Sequence, residues 1–315
     1  MSADEPLHRK YEALIRRCQG GAPVRTAVVH PCDETSLAAA IEAAEAGLIT
    51  PVLVGPEARI RALAASKKQD ISALTLIPTD HSHASASRGV ELVREGKVDA
   101  LMKGSLHTDE LIAAVVDRAS GIRTERRVSH VFIMDVPTYH KPLFITDAAV
   151  NILPTLDDKA DIIRNAIDLA QALGIETPKV AILAAVELVN SKMPATLDAA
   201  ALCKMADRGQ ITGGLIDGPL AFDNAISPQA ALVKGIKSPV AGDADILLVP
   251  DLEAGNMLAK ELIFLANADA AGIVLGARVP IILTSRADNL RTRMASAAIA
   301  ALYARARRST NVERG

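Results

Sequence analysis

Short apolar stretches alternate with amphipathic stretches along almost the whole chain. The apolar stretches have the length of β-strands, are rich in Val, Ile and Leu, and lack polar alternation, as is typical of strands covered on both faces. The repeated alternation predicts an α/β protein with mostly parallel sheets. The predicted strands are Thr26–His30, Pro51–Gly55, Leu74–Pro78, Ala100–Lys103, Val131–Val136, Leu143–Thr146, Val180–Val186, Ile211–Ile216, Ile246–Val249, Gly272–Leu275 and Pro280–Thr284.

The clearest predicted helix runs from Thr155 to Leu173. Its apolar residues recur at three- and four-residue intervals, which places them on one face of a helix. This apolar stripe consists of Leu156, Ala160, Ile163, Ile167 and Ala170.

Eleven strands are many for one open sheet, so two α/β domains are expected. The strands Val131–Val136 and Leu143–Thr146 are joined by a link too short for a helical crossover. They therefore form either an antiparallel pair or a passage between sheets. We predict one domain of residues 1–147 plus 287–315, to which the last helix returns, and a second domain of residues 148–286.

Composition narrows the functional classes. Hydrophobic residues make up 50% of the 315 residues, yet aromatic residues make up only 2%, there is no Trp, and the formal net charge is -2. Single-stranded nucleic acid is commonly held by aromatic stacking and basic grooves. The composition therefore predicts a soluble protein with an aliphatic core that binds no nucleic acid.

Cysteine usage and the N-terminus predict a cytoplasmic protein. Cys18, Cys32 and Cys203 are odd in number and none form a CxxC pair, so neither a disulfide framework nor a thiolate metal site is indicated. The N-terminal segment has no apolar core of a signal peptide. No stretch is long and apolar enough to cross a bilayer, so no membrane partner is expected.

Candidate chemistry lies where predicted strands lead into helices, because ligands of doubly wound sheets bind there and helix N-termini favour anions. In the segment ALMKGSLHT, Lys103 ends a strand and is followed by Gly104, Ser105 and Thr108. A cation, a glycine and hydroxyls before a helix suit phosphate binding. The alternative is structural: Thr108 is an N-cap and Lys103 pairs with a surface acid.

A second turn, VPIILTSRADN, brings Ser285 and Arg286 to the end of an apolar strand. Arginine makes bidentate contacts with phosphate or carboxylate groups. The alternative is a structural ion pair between Arg286 and an acid of the same domain.

Two further turns carry weaker signals. Asp147 and Asn151 lie four residues apart near the predicted domain boundary, where they either point into a cleft or satisfy loop backbone. Gly255 and Asn256 open a helix after an acidic turn, where they are either ligand contacts or helix-start residues.

Several common motifs are absent from the sequence. There is no GxGxxG, GxSxG or HExxH, and the close pair His81 and His83 has no evident third metal ligand. Asp243 and Asp245 are near neighbours, as metal ligands can be, but the sequence AGDADILLVP indicates a segment that leads into a strand. The motifs therefore support neither a nucleotide-dependent redox enzyme nor a metallohydrolase.

Taken in order, these turns resemble the phosphate acetyltransferase and phosphate butyryltransferase family over about residues 23–307. The chain also looks like the acyltransferase part of bifunctional enoyl-CoA hydratase/phosphate acetyltransferase chains. The segments that carry the resemblance are HPCDETSL (30–37), LVGPEARI (53–60), ALMKGSLHTDEL (100–111), RRVSHVFIMDVP (126–137), ITDAAVNILPTLDDKADIIRNAI (145–167), GGLIDGPLAFDNAIS (213–227), AGDADILLVPDLEAGNMLAK (241–260) and VPIILTSRAD (279–288).

The resemblance implies two α/β/α domains similar to those of isocitrate and isopropylmalate dehydrogenases, with the active cleft between the domains, and a homodimer. It implies the exchange of an acyl group between CoA and inorganic phosphate, giving acyl phosphate and CoA, with CoA or acyl-CoA as substrate and no metal or redox cofactor. Phosphate acetyltransferase is the expected activity. The alternatives are a phosphate butyryltransferase, a decarboxylating NAD(P)- and metal-dependent dehydrogenase, and a non-catalytic CoA- or anion-binding protein.

The resemblance also implies roles for individual residues. Arg286, Ser285 and Ser105 are the expected catalytic residues. Acetyl-type members carry an acid at the position occupied here by Thr292, so the general base is unassigned. A covalent route through Cys32 is disfavoured. The expected substrate-binding residues are Lys103, Gly104, Thr108, Asp147, Asn151, Gly255 and Asn256.

The shortage of aromatic residues has a further implication if CoA is a substrate. An adenine-bearing ligand has few rings on which to stack, so aliphatic walls, backbone amides and basic groups are expected to hold it. Tyr139, Phe144 and Phe222 are the rings placed closest to the predicted site turns.

Overall fold

The structure is a computed structural model that describes residues 9–18, 21–283 and 290–313. The described residues contain eleven strands and eleven helices, which alternate for most of the chain. The strands are β1 (Val24–Val29), β2 (Ile49–Gly55), β3 (Thr75–Pro78), β4 (Ala100–Lys103), β5 (Ser129–Asp135), β6 (Leu143–Thr146), β7 (Lys179–Leu183), β8 (Leu215–Leu220), β9 (Ile246–Leu248), β10 (Asp269–Leu275) and β11 (Ile281–Ile282).

The helices cover the lengths of chain between these strands. They are α1 (Arg9–Cys18), α2 (Glu34–Glu45), α3 (Glu57–Ser66), α4 (Ser82–Arg94), α5 (Thr108–Val116), α6 (Leu156–Ala172), α7 (Pro194–Asp207), α8 (Phe222–Ile226), α9 (Pro228–Val233), α10 (Leu252–Leu265) and α11 (Leu290–Glu313). None of the helices within the described ranges is long and apolar enough to cross a membrane.

The chain divides into two compact units. The first unit comprises Glu12–Val128 and Ala271–Gly315, and the second comprises Met1–Tyr11 and Ser129–Ala270. The predicted boundaries lay later in the chain, after residues 147 and 286. The difference arises because β5 and β6 pair with each other and β6 pairs with β9, so both strands pack with the second unit.

In the first unit the strand order is β3-β2-β1-β4-β11-β10. The pairs from β3 to β11 are parallel, and only β10 runs antiparallel to its neighbour β11. Because β1 to β4 are parallel, their carboxyl ends meet at one edge of the sheet. Helices α2, α3, α4 and α5 all begin at that edge.

In the second unit the strand order is β5-β6-β9-β7-β8. The pair β5–β6 is antiparallel, with Val131 opposite Thr146, which resolves the open alternative of the sequence analysis. The remaining pairs are parallel. The predicted α/β class with mostly parallel strands is confirmed.

Aliphatic side chains fill the interior, as the composition predicts. All three tyrosines are also buried: Tyr11 is 0%, Tyr139 8% and Tyr303 4% exposed. The hydroxyl of Tyr11 donates to the carbonyl of Ile133 at 2.5 Å, and that of Tyr139 donates to the carbonyl of Ala244 at 2.6 Å. The phenol groups of Tyr11 and Tyr139 are therefore satisfied within the fold.

Candidate active site

The carboxyl edge of β1 to β4 in the first unit surrounds a cavity of about 610 Å³. Each of the four strand-to-helix connections contributes to its lining, through the turn itself or through the first turn of the helix that follows. A volume of this size suits a small-molecule ligand, and the location matches the ligand-binding edge of doubly wound sheets. The lining residues are His30, Asp33, Glu34, Thr35, Arg59, Ser82, Ser105, Leu106, His107 and Glu110.

Gly104 lets the β4–α5 turn pass directly over the end of β1. Its backbone N–H donates to the carbonyl of Val29 at 2.8 Å. A Cβ at this position would lie 2.3 Å from the Val29 carbonyl oxygen and 2.5 Å from that of His30. No side chain fits there without movement of backbone, so the sequence requires glycine for this close approach.

Ser105 joins the β4–α5 turn to the β1–α2 turn. Both its backbone N–H and its Oγ–H donate to the carbonyl of His30, each at 2.9 Å. Its Oγ also accepts from the backbone N–H of Cys32 at 3.3 Å. The hydroxyl therefore lines the cavity while it fixes the backbone of His30.

The other residues of this predicted loop lie on either side of Ser105. Lys103 is half-buried, and its Nζ donates to the carbonyl of Gly104 at 3.3 Å. Thr108 is the first residue of α5, and His107 occupies the N-cap position without a side-chain cap bond. The alternative reading of Thr108 as the N-cap is therefore wrong by one residue.

His30 was not among the candidates singled out from the sequence. It directly follows β1 with a φ of 58°, and it is 8% exposed. Its Nδ1 lies 3.1 Å from Oγ of Ser85, which in turn lies 2.8 Å from Oγ1 of Thr79. Burial, assisted by the charge of Arg59, lowers the pKa of His30 below its ordinary value of 6.5.

Asp147 and Asn151 lie in the second unit, where they satisfy loop backbone. Oδ1 of Asp147 accepts from the N–H groups of Ala149 at 2.9 Å and Val150 at 3.0 Å, and Oδ2 accepts from Nδ2 of Asn151 at 2.6 Å. Asp147 is 2% and Asn151 3% exposed. Burial raises the pKa of Asp147 despite these hydrogen bonds.

Gly255 and Asn256 lie inside α10 and contact the same turn. A Cβ on Gly255 would lie 2.7 Å from Cγ2 of Val249 and 3.0 Å from Cβ of Ala148. Nδ2 of Asn256 donates to the carbonyl of Ala148 at 3.2 Å. Asp251 is the N-cap of this helix, so Gly255 and Asn256 follow the helix start by several residues.

Ser285 and Arg286 lie outside the residues that the structure describes, as does Asp288. Thr292, at the position for which the resemblance implies an acid, lies on α11 and is 7% exposed. Its carbonyl accepts a hydrogen bond from Oγ of Ser296 at 3.0 Å.

Asp243 and Asp245 form part of an ion-pair cluster. Nζ of Lys141 lies 3.0 Å from Oδ1 of Asp243 and 2.8 Å from Oδ1 of Asp245, and Nζ of Lys179 lies 2.6 Å from Oδ2 of Asp243. These carboxylates are neutralised by lysines. In the described part of the chain, no group of His, Cys, Asp or Glu has the arrangement of a metal site.

Cys32 and the aromatic candidates are buried. Cys32 is 6% exposed, and burial raises the pKa of its thiol, which opposes the thiolate form that a covalent route requires. Tyr139 is 8% and Phe144 1% exposed, so neither ring is accessible for stacking on an adenine. Only Phe222 of the three rings is partly exposed.

Comparison with known proteins agrees with the sequence resemblance. The sequence profile of the phosphate acetyl/butaryl transferase family matches residues 79–301. The chain is 63% identical over 303 residues to the phosphate acetyltransferase of Rhizobium meliloti, covering 96% of both chains. It is 40% identical over 296 residues to the phosphate butyryltransferase of Clostridium acetobutylicum, covering 94% of this chain and 98% of that one.

A solved structure supports the fold. The phosphotransacetylase from Streptococcus pyogenes superimposes with a TM-score of 0.81 at 23% identity, covering 96% of this chain and 100% of that one. The predicted fold class, family and acyltransferase activity are confirmed by these matches. The chain belongs to the phosphate acetyltransferase and butyryltransferase family and is a phosphate acyltransferase.

Proposed function

We propose that this protein exchanges an acetyl group between CoA and inorganic phosphate. The acetyl group is proposed as the transferred acyl group because the chain is 63% identical to a phosphate acetyltransferase but only 40% identical to a butyryltransferase. The cavity at the carboxyl edge of the first unit provides a site of suitable size and polarity for part of the substrates.

The reaction sets three chemical requirements. The CoA thiol must become a thiolate, because the thiol form is a weak nucleophile and ordinarily titrates near pH ~8.5. The oxyanion that forms at the acyl carbonyl must be stabilised by positioned donors. Phosphate must be held in line with the acyl carbon.

We assign Arg286 and Ser285 to phosphate and the developing charge, together with the loop of Lys103, Gly104, Ser105 and Thr108. No metal or redox cofactor takes part in this scheme. A turn of the second unit is held in place by Asp147, Asn151, Gly255 and Asn256. These residues contribute to substrate binding by fixing the backbone of that turn.

The protein is proposed to be a cytoplasmic homodimer. The large apolar side chains that are exposed in the described residues, all but Val116, belong to the second unit. Extensive exposed apolar surface is typical of interfaces. Phe264 and Leu265 at the end of α10 are 79% and 81% exposed, so a second copy of the chain is the proposed partner of this surface.

The activity is tested by release of free CoA thiol from acyl-CoA in the presence of arsenate, with acetyl-, propionyl- and butyryl-CoA in parallel. An acyltransferase releases CoA, with acetyl-CoA the best substrate. A binding protein without catalysis releases none. Faster release from butyryl-CoA would replace the acetyl assignment by the butyryl one.

The role of Arg286 is tested by Arg286→Gln. Loss of the phosphate contact is expected to lower kcat/KM by a factor on the order of 100 to 1,000, while circular dichroism and Tm stay unchanged. Arg118→Gln, which removes the same charge from an exposed residue, is the control and should retain full activity. Near-normal activity of Arg286→Gln would remove Arg286 from the scheme.

A further inference from the structure

The hydrogen bonds around His30 define where its ring proton lies. Oγ of Ser85 has one hydrogen and three polar neighbours: the carbonyl of His81 at 2.9 Å, Oγ1 of Thr79 at 2.8 Å and Nδ1 of His30 at 3.1 Å. All three contacts are hydrogen bonds only if Ser85 donates to His81 while Thr79 and His30 donate to Ser85. His30 is therefore protonated on Nδ1.

The second ring nitrogen of His30 is then an acceptor. His30 lines the cavity, and Nε2 forms no hydrogen bond with any residue in the described ranges. The ring is held on its other side by Ser85, and its backbone is held by Ser105 and Cys32. A neutral imidazole with one fixed nitrogen and one free lone pair is the usual arrangement of a general base.

The charged groups around the ring come from four elements. Asp33 and Glu110, at the starts of α2 and α5, favour the protonated ring, whereas Arg59 on α3 and His81 before α4 disfavour it. Glu34 is directed to an ion pair with Lys67 at 2.5 Å, and His107 is exposed at the N-cap of α5. Oε2 of Glu110 is buried without a hydrogen-bond partner in the described structure, and it lies 3.5 Å from Nδ1 of His83 in an ion pair.

We propose that His30 is the general base that takes the proton of the CoA thiol. The inference rests on the proposed function, and it names a general base, which the sequence resemblance leaves unassigned. Asp33 and Glu110 then stabilise the imidazolium that forms, and the Arg59 guanidinium favours the thiolate and phosphate. Ser105 acts as a positioning residue, because it fixes the backbone of His30.

The step balances without a further reactant. The S–H bond of CoA breaks, its proton forms an N–H bond at Nε2, and the electron pair stays on sulfur. The thiolate then forms the C–S bond at the carbonyl of acetyl phosphate while the C–O bond to phosphate breaks. In the reverse direction the imidazolium returns its proton to the departing thiolate.

The variant His30→Asn is suited to the test. Asn tolerates positive φ better than most residues, and its amide can donate to Ser85 as Nδ1 does. It has no basic nitrogen. We expect kcat for thiolysis of acetyl phosphate to fall by a factor on the order of 100 to 10,000 at pH 7, with little change in Tm.

The pH profile separates a base from a structural residue. In the wild type, kcat/KM for CoA should fall on the acid side in a limb below the ordinary histidine pKa of 6.5, because burial and Arg59 lower the pKa of His30 in the free enzyme. In His30→Asn that limb should vanish, and the rate should rise with pH towards the ordinary thiol pKa near ~8.5 as solvent supplies the thiolate. A loss that is equal at all pH values would overturn the proposal.

Two controls complete the test. His140→Asn changes a histidine of the second unit whose side chain is 64% exposed, and it should keep the wild-type profile. Nitrogen NMR of histidine-labelled wild type should show a neutral ring protonated on Nδ1 at pH 7. A ring protonated on Nε2 would refute the assignment even if His30→Asn fails to fold. A wild type inactive with every acyl-CoA would instead refute the proposed function.

Discussion

At the scale of single residues, the site depends on a backbone approach that only one residue type permits. Gly104 passes over the carbonyl oxygens of Val29 and His30, and Ser105 then donates twice to His30. The sequence shows a glycine before hydroxyls, which indicates a tight turn. It does not show which backbone the turn contacts, because that strand lies more than 70 residues earlier in the chain.

Gly104→Ala is therefore predicted to disrupt both stability and activity. The new Cβ would meet two backbone oxygens, so β1 and the β4–α5 turn must separate, at a cost of about 2 kcal/mol or more in unfolding free energy. Denaturant unfolding and thiol release measure the two effects.

Gly89→Ala is the matched control for Gly104→Ala. Its Cβ would approach the same residue, Val29, but at the side-chain Cγ2, 2.8 Å away. Alanine is also the better helix former inside α4, and a methyl group moves more easily than backbone, so the loss of stability should be smaller than for Gly104→Ala. Equal losses for the two variants would contradict the backbone argument.

His30 illustrates what residue patterns cannot reveal. The segment HPCDETSL carries part of the family resemblance, yet the candidate chemistry of His30 depends on Ser85 and Thr79, which follow other strands. Side chains that converge at one sheet edge from separate turns carry no spacing signal. By contrast, the role of Gly104 as a turn residue is local, and the sequence predicts it.

At the scale of elements, local signals predicted the helix after β6 and all but one of the strands. The helix expected from Thr155 to Leu173 is α6, capped at those two residues. The strand expected at Ile211–Ile216 is instead β8, Leu215–Leu220. Gly218 and Pro219 read as turn residues, but β8 ends the strand order, and an edge strand tolerates proline.

The ion pairs at the amino ends of three strands fix neighbouring elements in the second unit. Lys141 precedes β6, Lys179 begins β7, and Asp243 and Asp245 precede β9. Partial burial opposes the charge of Asp243, but hydrogen bonds from Lys179 and Lys141 outweigh it and lower its pKa to about 2. The cluster should therefore stabilise these elements only while Asp243 is ionised.

Asp243→Asn is predicted to cost stability at neutral pH and progressively less in acid. An unfolded Asp titrates near pH ~3.9, so the contribution of Asp243 is present above that pH and is lost as pH falls towards about 2. Urea unfolding of wild type and variant between pH 3 and 7 should show a difference in unfolding free energy that becomes smaller below pH ~4.

Asp157→Asn provides the comparison for Asp243→Asn. Asp157 is an exposed acid in the first turn of α6, where it contributes only a weak favourable interaction with the helix N-terminus. The difference in unfolding free energy between Asp157→Asn and wild type should be small at every pH between 3 and 7. A gap for Asp243→Asn that stays constant with pH would contradict the assigned role of the ion pairs.

At the scale of the whole molecule, the alternation of strands and helices predicts the α/β class. The family is predicted by sequence segments that resemble it, in order, over nearly the full chain. The domain boundaries did not follow, because a boundary depends on which strands pair. Strands β5 and β6 precede the predicted boundary in sequence, yet β6 pairs with β9.

If α10 forms the dimer contact, charges placed on its exposed apolar side chains should prevent dimerisation. The double variant Met257→Glu, Phe264→Glu places two charges on exposed apolar positions of α10, which are 65% and 79% exposed. Charges buried without partners oppose association, so light scattering should show the mass of one chain instead of two.

Val116→Glu is the control for the double variant. Val116, on α5 of the first unit, is 36% exposed. This variant should keep the mass of two chains. A wild type with the mass of one chain would exclude the dimer. A double variant that still has the mass of two chains would place the dimer contact elsewhere.

The buried tyrosines have a practical consequence for optical spectroscopy. Because the protein has no Trp, tyrosine emission is not lost by transfer to an indole, and Tyr11, Tyr139 and Tyr303 all pass from an interior to water on unfolding. Tyr139 lies in the second unit and Tyr303 in the first. Variants that retain one of these rings therefore give each unit its own optical signal, so the order in which the two units unfold becomes measurable without an added label.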